Sequence, residues 1–397
     1  MRTRWPFHIL PRMHPSPVNP ALIELRCVEC GALRPADLTA TTCPAPSHVG
    51  DRGILDAQYD YERVRRAWPS SQSPERGVWR WHSALPVRPP TTPLLAVGDT
   101  PLVSAPRLAR TLGLAELWLK DDTRNPTRSF KDRATAVGVA IAIARGLRAV
   151  TCASAWNAAI SLAGFAAHAG LACEVFVPSY ASPERLAWLE RFGARVHVSE
   201  GDYDRAFDEC EASAASNGWY NRNCAWNPFL VEGKKTVSFE IDEPLAHETP
   251  DAVVCAVGDG CTLGAIGKGF RELRELRVAS RIPQLIGVQA ATVAPITARF
   301  LHEEWHDTGS ATRAASIAVR RPRNAVRVLQ EVRESRGQFL SVPEDAIAEA
   351  QRRFAREAGV LVEAATATTL AAIQSLADAG QLKGARVVAV LTGGRAD

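Results

Sequence analysis

Asn125-Pro126-Thr127-Arg128-Ser129-Phe130-Lys131-Asp132-Arg133 is the stretch that decides how this chain is read. The chain holds six lysines against forty-one arginines, and one of the six, Lys131, stands in this segment. Only an ε-amine can shed its proton and condense with an aldehyde, so a lysine kept in an arginine-dominated chain is a candidate for amine chemistry. The apolar run Leu117-Trp118-Leu119 reads as a short buried strand and 134–144 as a helix. Lys131 therefore falls at a strand-loop-helix junction, where α/β sheets build their sites.

Outward from this segment the same alternation recurs. Short apolar or β-branched runs at 149–153, 173–177, 195–198, 252–257, 284–290 and 386–391 are separated by helical stretches such as 158–169, 183–192, 263–277, 343–358 and 367–379. Such alternation predicts an α/β fold with parallel sheets flanked by helices. The segment 307–321 has no clear period and reads as a loop, and no internal repeat is visible. Three units are expected: a cysteine-containing, ribbon-like module over 22–50, an N-terminal α/β domain over 51–240, and a C-terminal α/β domain over 241–397.

A chain of 397 residues with 46% hydrophobic content can bury a sizeable core. The formal charge of +4 is slight, and no basic run interleaved with aromatics appears. Nucleic acid and acidic membrane are not implied, and a small molecule is the expected partner. Arg2, Arg4 and Arg12 near the start have no acidic neighbours, but Pro6, Pro11, Pro15, Pro17 and Pro20 break up any secretory apolar core. The first twenty residues read as a loose tail. With no apolar stretch of transmembrane length, a soluble, cytoplasmic protein is expected.

Nine cysteines, an odd number with no signal peptide, argue for reduced thiols. Cys152, Cys173 and Cys255 lie in apolar strand-like runs and read as core. Cys27 and Cys30, followed by Gly31 and later Cys43, have the spacing of a knuckle that presents thiolates to zinc. A fourth ligand is the difficulty: where a second Cys-x-x-Cys would close the set, position 46 is Pro, leaving His48 as the nearest substitute. A metal-free relic of a ribbon is thus the favoured reading over bound zinc.

Two further loops follow expected strands and lead into expected helices. One is Ser154-Ala155-Trp156-Asn157; the other is Gly258-Asp259-Gly260-Cys261-Thr262-Leu263-Gly264. In the latter the glycines let backbone N–H groups turn toward an anion, and the following helix adds its positive end. Taken alone, such a Gly-x-Gly is as often an ordinary tight turn. An imine-forming lysine together with a phosphate cradle is what pyridoxal phosphate requires.

Here the residues resemble the threonine synthase family of fold-type-II pyridoxal-phosphate enzymes. The likeness runs in order through Leu25-Arg26-Cys27-Val28-Glu29-Cys30-Gly31, Tyr59-Asp60-Tyr61, Trp79-Arg80, Leu85-Pro86-Val87, Gly98-Asp99-Thr100-Pro101-Leu102 and the Lys131 segment. It continues through Asn227-Pro228 with Glu232-Gly233-Lys234-Lys235-Thr236, then Gly287-Val288-Gln289-Ala290, Gly359-Val360-Leu361-Val362-Glu363 and Leu391-Thr392-Gly393. The resemblance implies a two-domain, tryptophan synthase β-like fold and, by analogy, a homodimer. It makes Lys131 the Schiff-base lysine and Asn157 the partner of the cofactor's phenolic oxygen. Gly258, Asp259, Gly260, Cys261 and Thr262 would hold its phosphate, and Thr392 would place a hydroxyl by the pyridine nitrogen. Ser129, Ser154, Arg128 and Trp156 would lie on the substrate side. The implied reaction is elimination and replacement on an activated amino acid, O-phosphohomoserine giving threonine.

Four departures border the cofactor loops: Arg128 and Trp156 where the family has Gly, Cys261 where it has a small residue, and Arg395 after Gly393-Gly394. On one reading Arg128 meets a carboxylate or phosphate and Trp156 packs on an apolar group, refitting the site to another amino acid of a specialised biosynthesis. On the other the site has decayed to a cofactor-fold binding protein. Retention of Lys131, Ser129, Asn157, Gly258, Gly260 and Thr392 favours a working enzyme, and Trp156 is equally read as local packing. Asp121 and Asp122 read as turn caps rather than an acid/base pair. His82, His168 and His302 have no nucleophile to form a triad with, and Cys210 and Cys224 read as inert for want of a basic neighbour.

Overall fold

The computed structural model describes residues 17–45, 48, 52–70 and 73–394. The tail expected at the N-terminus lies outside these up to residue 16, as does Arg395. The chain first builds an antiparallel sheet from β1 (Leu22–Cys27), β2 (Leu33–Pro35), β3 (Thr42–Cys43) and β4 (Gly53–Tyr59), in the order β2-β1-β4-β3. It then lays down β5 (Leu102–Ser104) and β6 (Glu116–Asp121). A parallel four-stranded sheet follows, made of β7 (Ala149–Ala153), β8 (Ala172–Pro178), β9 (Arg195–Ser199) and β10 (Tyr220–Asn221) in the order β10-β7-β8-β9. Finally β11 (Ala252–Ala256), β12 (Gln284–Ala290), β13 (Gln338–Val342) and β14 (Arg386–Leu391) join the earlier pair in a six-stranded sheet, β13-β12-β11-β14-β6-β5. Only β5 runs antiparallel in it.

The sheets cross the boundaries expected from sequence. β4, assigned to the second unit, pairs with β1 of the cysteine module. β6, also assigned to the second unit, pairs with C-terminal β14 from Arg386↔Glu116 to Leu391↔Asp121. An apolar strand buried on both faces carries no mark of which neighbour it will take. This register brings the end of β14 to the Lys131 loop, where the Phe130 N–H donates to the Thr392 carbonyl at 3.0 Å.

The helices Lys131–Ala144 and Phe229–Asp242 are buried along most of their length. They touch backbone to backbone at Gly233, where a Cβ would stand 2.0 Å from the Arg133 carbonyl oxygen. One apolar cluster runs from the N-terminal sheet (Leu25, Tyr59) through Val137 and Leu230 to β11. A second lies between the six-stranded sheet and the helix Ala364–Asp378. The helices Tyr203–Asn217 and Ala325–Glu334 and strand β13 add to the elements named from sequence, and 343–358 resolves into a helix Glu344–Arg353 and one wider turn, Phe354–Ala358. Among the described residues no helix is long and apolar enough to cross a membrane.

Candidate active site

Three strand ends deliver three loops to one cavity. β6 leads through Asp122–Arg124 to Lys131, β7 leads to the helix Asn157–Ala169, and β11 leads to the helix Cys261–Glu275. The cavity is lined by Lys131, Ser154, Trp156, Asn157, residues 258–262 and Thr392, joined by Arg222, Cys224, Lys234 and Glu363.

The start of the Cys261–Glu275 helix is a cradle made of backbone. Gly260 holds φ at +95°, no side chain caps the helix, and a Cβ on Gly260 would stand 2.7 Å from Val328 Cγ1. The first intrahelical bond is from Gly264 N–H to the Gly260 carbonyl, so the amides of the first turn remain for an anion, aided by the helix dipole. Asp259 is kept from opposing that anion: its Oδ1 accepts from the Arg323 N–H at 2.6 Å, and burial raises its pKa.

Lys131 and Lys234, the two lysines of this cavity, differ from the other buried lysines, which pair with carboxylates. Lys120 pairs with Glu240 at 2.7 Å, Lys235 with Glu272 at 2.7 Å and Lys268 with Asp56 at 2.9 Å. Among the described residues no carboxylate lies in salt-bridge reach of the Lys131 amine. Burial, with the Lys234 and Arg222 charges added, pulls its pKa down to about 8, so that roughly a tenth of the amine is neutral at neutrality. A nucleophilic amine and an uncapped, glycine-turned helix start in one cavity fit a phosphorylated aldehyde such as pyridoxal phosphate.

Other expected residues fall less simply. Asn157 Nδ2 donates to Glu363 Oε2 at 2.9 Å, and Glu363 also accepts from Ser316 Oγ at 3.2 Å. Glu363 was not singled out from sequence, although it closes the Gly359-to-Glu363 run of the resemblance. Thr392 Oγ1 lies 3.2 Å from Thr366 Oγ1. Ser154 Oγ accepts from the Trp156 N–H at 3.0 Å, ordering the loop. Trp156 sits at φ −123°, a backbone conformation open to any residue, and its ring is covered by the Arg185 guanidinium. The indole therefore both lines the cavity and is packed, without backbone strain.

Arg128 and Ser129 do not line the cavity. Arg128 is exposed and carries the left-handed turn at φ +64° that glycine would adopt freely, a cost of about 1–2 kcal/mol. Ser129 Oγ is buried without a hydrogen-bond partner, and the residue bridges to Gly393. Both were expected on the substrate side; the structure places them in the turn that presents Lys131, outside the lined cavity.

Cys224 needs a second correction. Lys234 Nζ lies 2.9 Å from its sulfur, and a hydrogen bond from Cys261, then the Lys234 charge, draw its pKa well below the usual thiol value. The basic partner lies on a neighbouring helix, out of reach of local reading. Cys210 behaves as expected, burial pushing its pKa to about 12. Asp121 caps the Thr123 N–H as expected, but Asp122 is fully buried against Arg133. Cys27, Cys30 and Cys43 lie apart from this cavity, in the N-terminal sheet, gathered with His48.

Residues 93–393 match the family described as pyridoxal-phosphate dependent enzyme. A threonine synthase of Methanocaldococcus jannaschii is 34% identical over 377 residues, covering 93% of this chain and 91% of that protein. A threonine synthase of Mycobacterium leprae is 34% identical, over 79% of this chain and 86% of that protein. Among solved structures, threonine deaminase isoform 2 from Solanum lycopersicum superposes with a TM-score of 0.63 at 19% identity, over 75% of this chain and 80% of that one. O-ureido-L-serine synthase superposes with a TM-score of 0.63 at 22% identity, over 74% and 89%. The fold is therefore that of the fold-type-II enzymes, and the chain belongs to the pyridoxal-phosphate-dependent enzyme family as a threonine synthase-like member.

Proposed function

We propose that this enzyme converts O-phosphohomoserine and water into threonine and inorganic phosphate. The observation that carries the reading is the charge of the cavity: Arg222, Lys234 and Lys131 line it, with the Cys224 sulfur offsetting part of the Lys234 charge. Its two carboxyl side chains, Asp259 and Glu363, are engaged by the Arg323 N–H and by Asn157 and Ser316. Such a wall favours an amino acid bearing a second anion. The threonine synthase relatives point the same way.

In this reading the amides of the Cys261 helix start hold the cofactor's phosphate and Lys131 holds its aldehyde carbon. When bound, pyridoxal phosphate supplies an electron sink for charge developing at the substrate Cα. The free Lys131 amine would take the Cα proton and return protons to the carbon skeleton, a task suited to an amine of pKa about 8. Asn157, fixed by Glu363, orients the ring. Trp156, held under the Arg185 guanidinium, lines the side of the cavity where the substrate would lie.

Trp156 also supports a second reading, in which the same chemistry acts on another activated amino acid shaped to the indole. One experiment separates the two. Cofactor-loaded protein is given O-phosphohomoserine, and phosphate and threonine are assayed together. Equimolar release is the expected result; consumption of other O-activated amino acids with O-phosphohomoserine untouched overturns the proposal.

The amine itself gives a pH prediction. Capture of pyridoxal phosphate by the cofactor-free protein needs neutral Lys131, so its rate should climb with pH through a midpoint near 8. Lys234→Met removes a neighbouring positive charge, so the Lys131 pKa rises and the midpoint moves to higher pH. Stopped-flow absorbance reads both; an unmoved or lowered midpoint refutes the coupling.

A further inference from the structure

We infer that Cys27, Cys30, Cys43 and His48 form a four-coordinate zinc site that clamps the N-terminal sheet. The inference is independent of the reaction proposed above. One ligand atom from each residue lies within 4.8 Å of all the others. A tetrahedral zinc with its usual bond lengths separates two sulfurs by about 3.8 Å and a sulfur from a nitrogen by about 3.6 Å. Here Cys30 Sγ and Cys43 Sγ are 3.9 Å apart, and His48 Nε2 is 3.3 Å from Cys27 Sγ and 3.4 Å from Cys30 Sγ. Three of the six edges are thus already near that length, and the other three lie within 4.8 Å. Three soft sulfurs and an imidazole suit zinc over calcium or magnesium, and four protein donors leave no open position, which makes the site structural.

The backbone is built for it. Cys27 ends β1, and the turn to Cys30 closes with the Gly31 N–H donating to the Cys27 carbonyl at 3.0 Å, Gly31 holding φ at +72°. Cys43 comes from β3 and His48 from the connection to β4, so the ligands come from both halves of the sheet. Gly53 is the space-maker: a Cβ there would stand 2.5 Å from His48 Nε2 and 2.8 Å from Cys27 Sγ. Arg34 Nη2 lies 4.0 Å from Cys43 Sγ, a positive charge beside a centre that three thiolates would leave with net charge −1. The missing fourth ligand of the sequence pattern is supplied by His48, five residues after Cys43 and past Pro46.

The clamp has a consequence for the rest of the molecule. In register with Arg26, next to Cys27, stands Asp56 of β4, which pairs with Lys268 at 2.9 Å and Arg327 at 2.5 Å. Lys268 belongs to the helix whose first turn forms the anion cradle. The metal therefore holds the strand that anchors the back of that helix.

The test is the zinc content of the full-length, cofactor-loaded protein, purified without chelator and measured by elemental mass spectrometry. One zinc per chain is expected. Cys30→Ser and Cys43→Ser should fall to background, Cys173→Ser should keep its zinc, and His48→Cys, which preserves a four-ligand set, should keep it too. Protein produced with cobalt(II) should absorb in the red, beyond the cofactor's own bands, with the intensity of tetrahedral thiolate coordination. Wild-type protein lacking zinc after zinc-supplemented growth and taking up no cobalt overturns the inference, as does a Cys30–Cys43 disulfide in freshly isolated protein. Because the wild-type content reads directly, a variant that fails to fold does not rescue the inference.

Discussion

Lys131→Ala is expected to yield a folded protein that no longer retains cofactor covalently and is slower by about 10³-fold or more, the range that a positioned proton-transfer group supplies. Folding should survive because the amine pairs with no carboxylate among the described residues, so no buried counter-charge is stranded. Borohydride added to the cofactor-loaded wild type should fix the cofactor's mass on the peptide containing Lys131, and the variant should show no such adduct. The choice of control matters. Lys268 is fully buried between Asp56 and Glu232, so replacing it would disturb the fold and report on stability. Lys383 is exposed, and Lys383→Ala should keep both the colour and the rate. An adduct on Lys234, the other lysine lining the cavity, would overturn the assignment.

What could be read from the chain follows from the physical range of each signal. Strands β7 and β11 and the helix at Asn157 were legible because their apolar runs are bounded by turn residues, and the two loops beyond Lys131 follow from them. The partner of a buried strand was not legible: nothing in 116–121 says that β14 lies beside it, so the division at residue 240 separated strands that share a sheet. The helix Phe229–Asp242 escaped for the opposite reason. It is buried all round, and its charges are paired, Glu232 with Lys235 and Lys268, Lys235 with Glu272, and Glu240 with Lys120 and Arg133, so no amphipathic stripe marks it. The same limit hid the Cys224–Lys234 contact and the engagement of Asn157 by Glu363. Arg128 shows a further one: a residue type tells what a side chain could grip, but the left-handed turn at that position decides that it grips nothing in the cavity.

Glu240→Ala is expected to be the most destabilising single change in the scaffold beneath the site, costing about 3–5 kcal/mol. Its carboxylate accepts from Lys120 Nζ at 2.7 Å and from both terminal nitrogens of Arg133 at 2.7 Å, and also from the Asp99 and Thr100 backbone amides at 3.0 and 3.2 Å. Burial alone would raise the Glu240 pKa, and the Arg133 and Lys120 charges outweigh it, holding the group well below the usual carboxylate range. A depressed folded-state pKa means that this contribution is present above the unfolded value and is lost only as pH falls through the folded one, so it persists into strong acid. Among the described residues, truncation leaves Lys120 with the Thr100 carbonyl as its remaining hydrogen-bond acceptor and removes half of the Arg133 counter-charge, Asp122 remaining at 2.6 Å. Against a typical total of about 5–15 kcal/mol, such a loss is a large share of the stability. Arg133 is two residues from Lys131 on the same helix, so cofactor retention should fall along with the denaturation midpoint. The network is buried, so added salt should not reproduce the effect in the wild type. A Glu240→Ala protein that unfolds within about 1 kcal/mol of the wild type by urea titration would mean that the ion cluster is not what fixes the Lys131 helix to its neighbour.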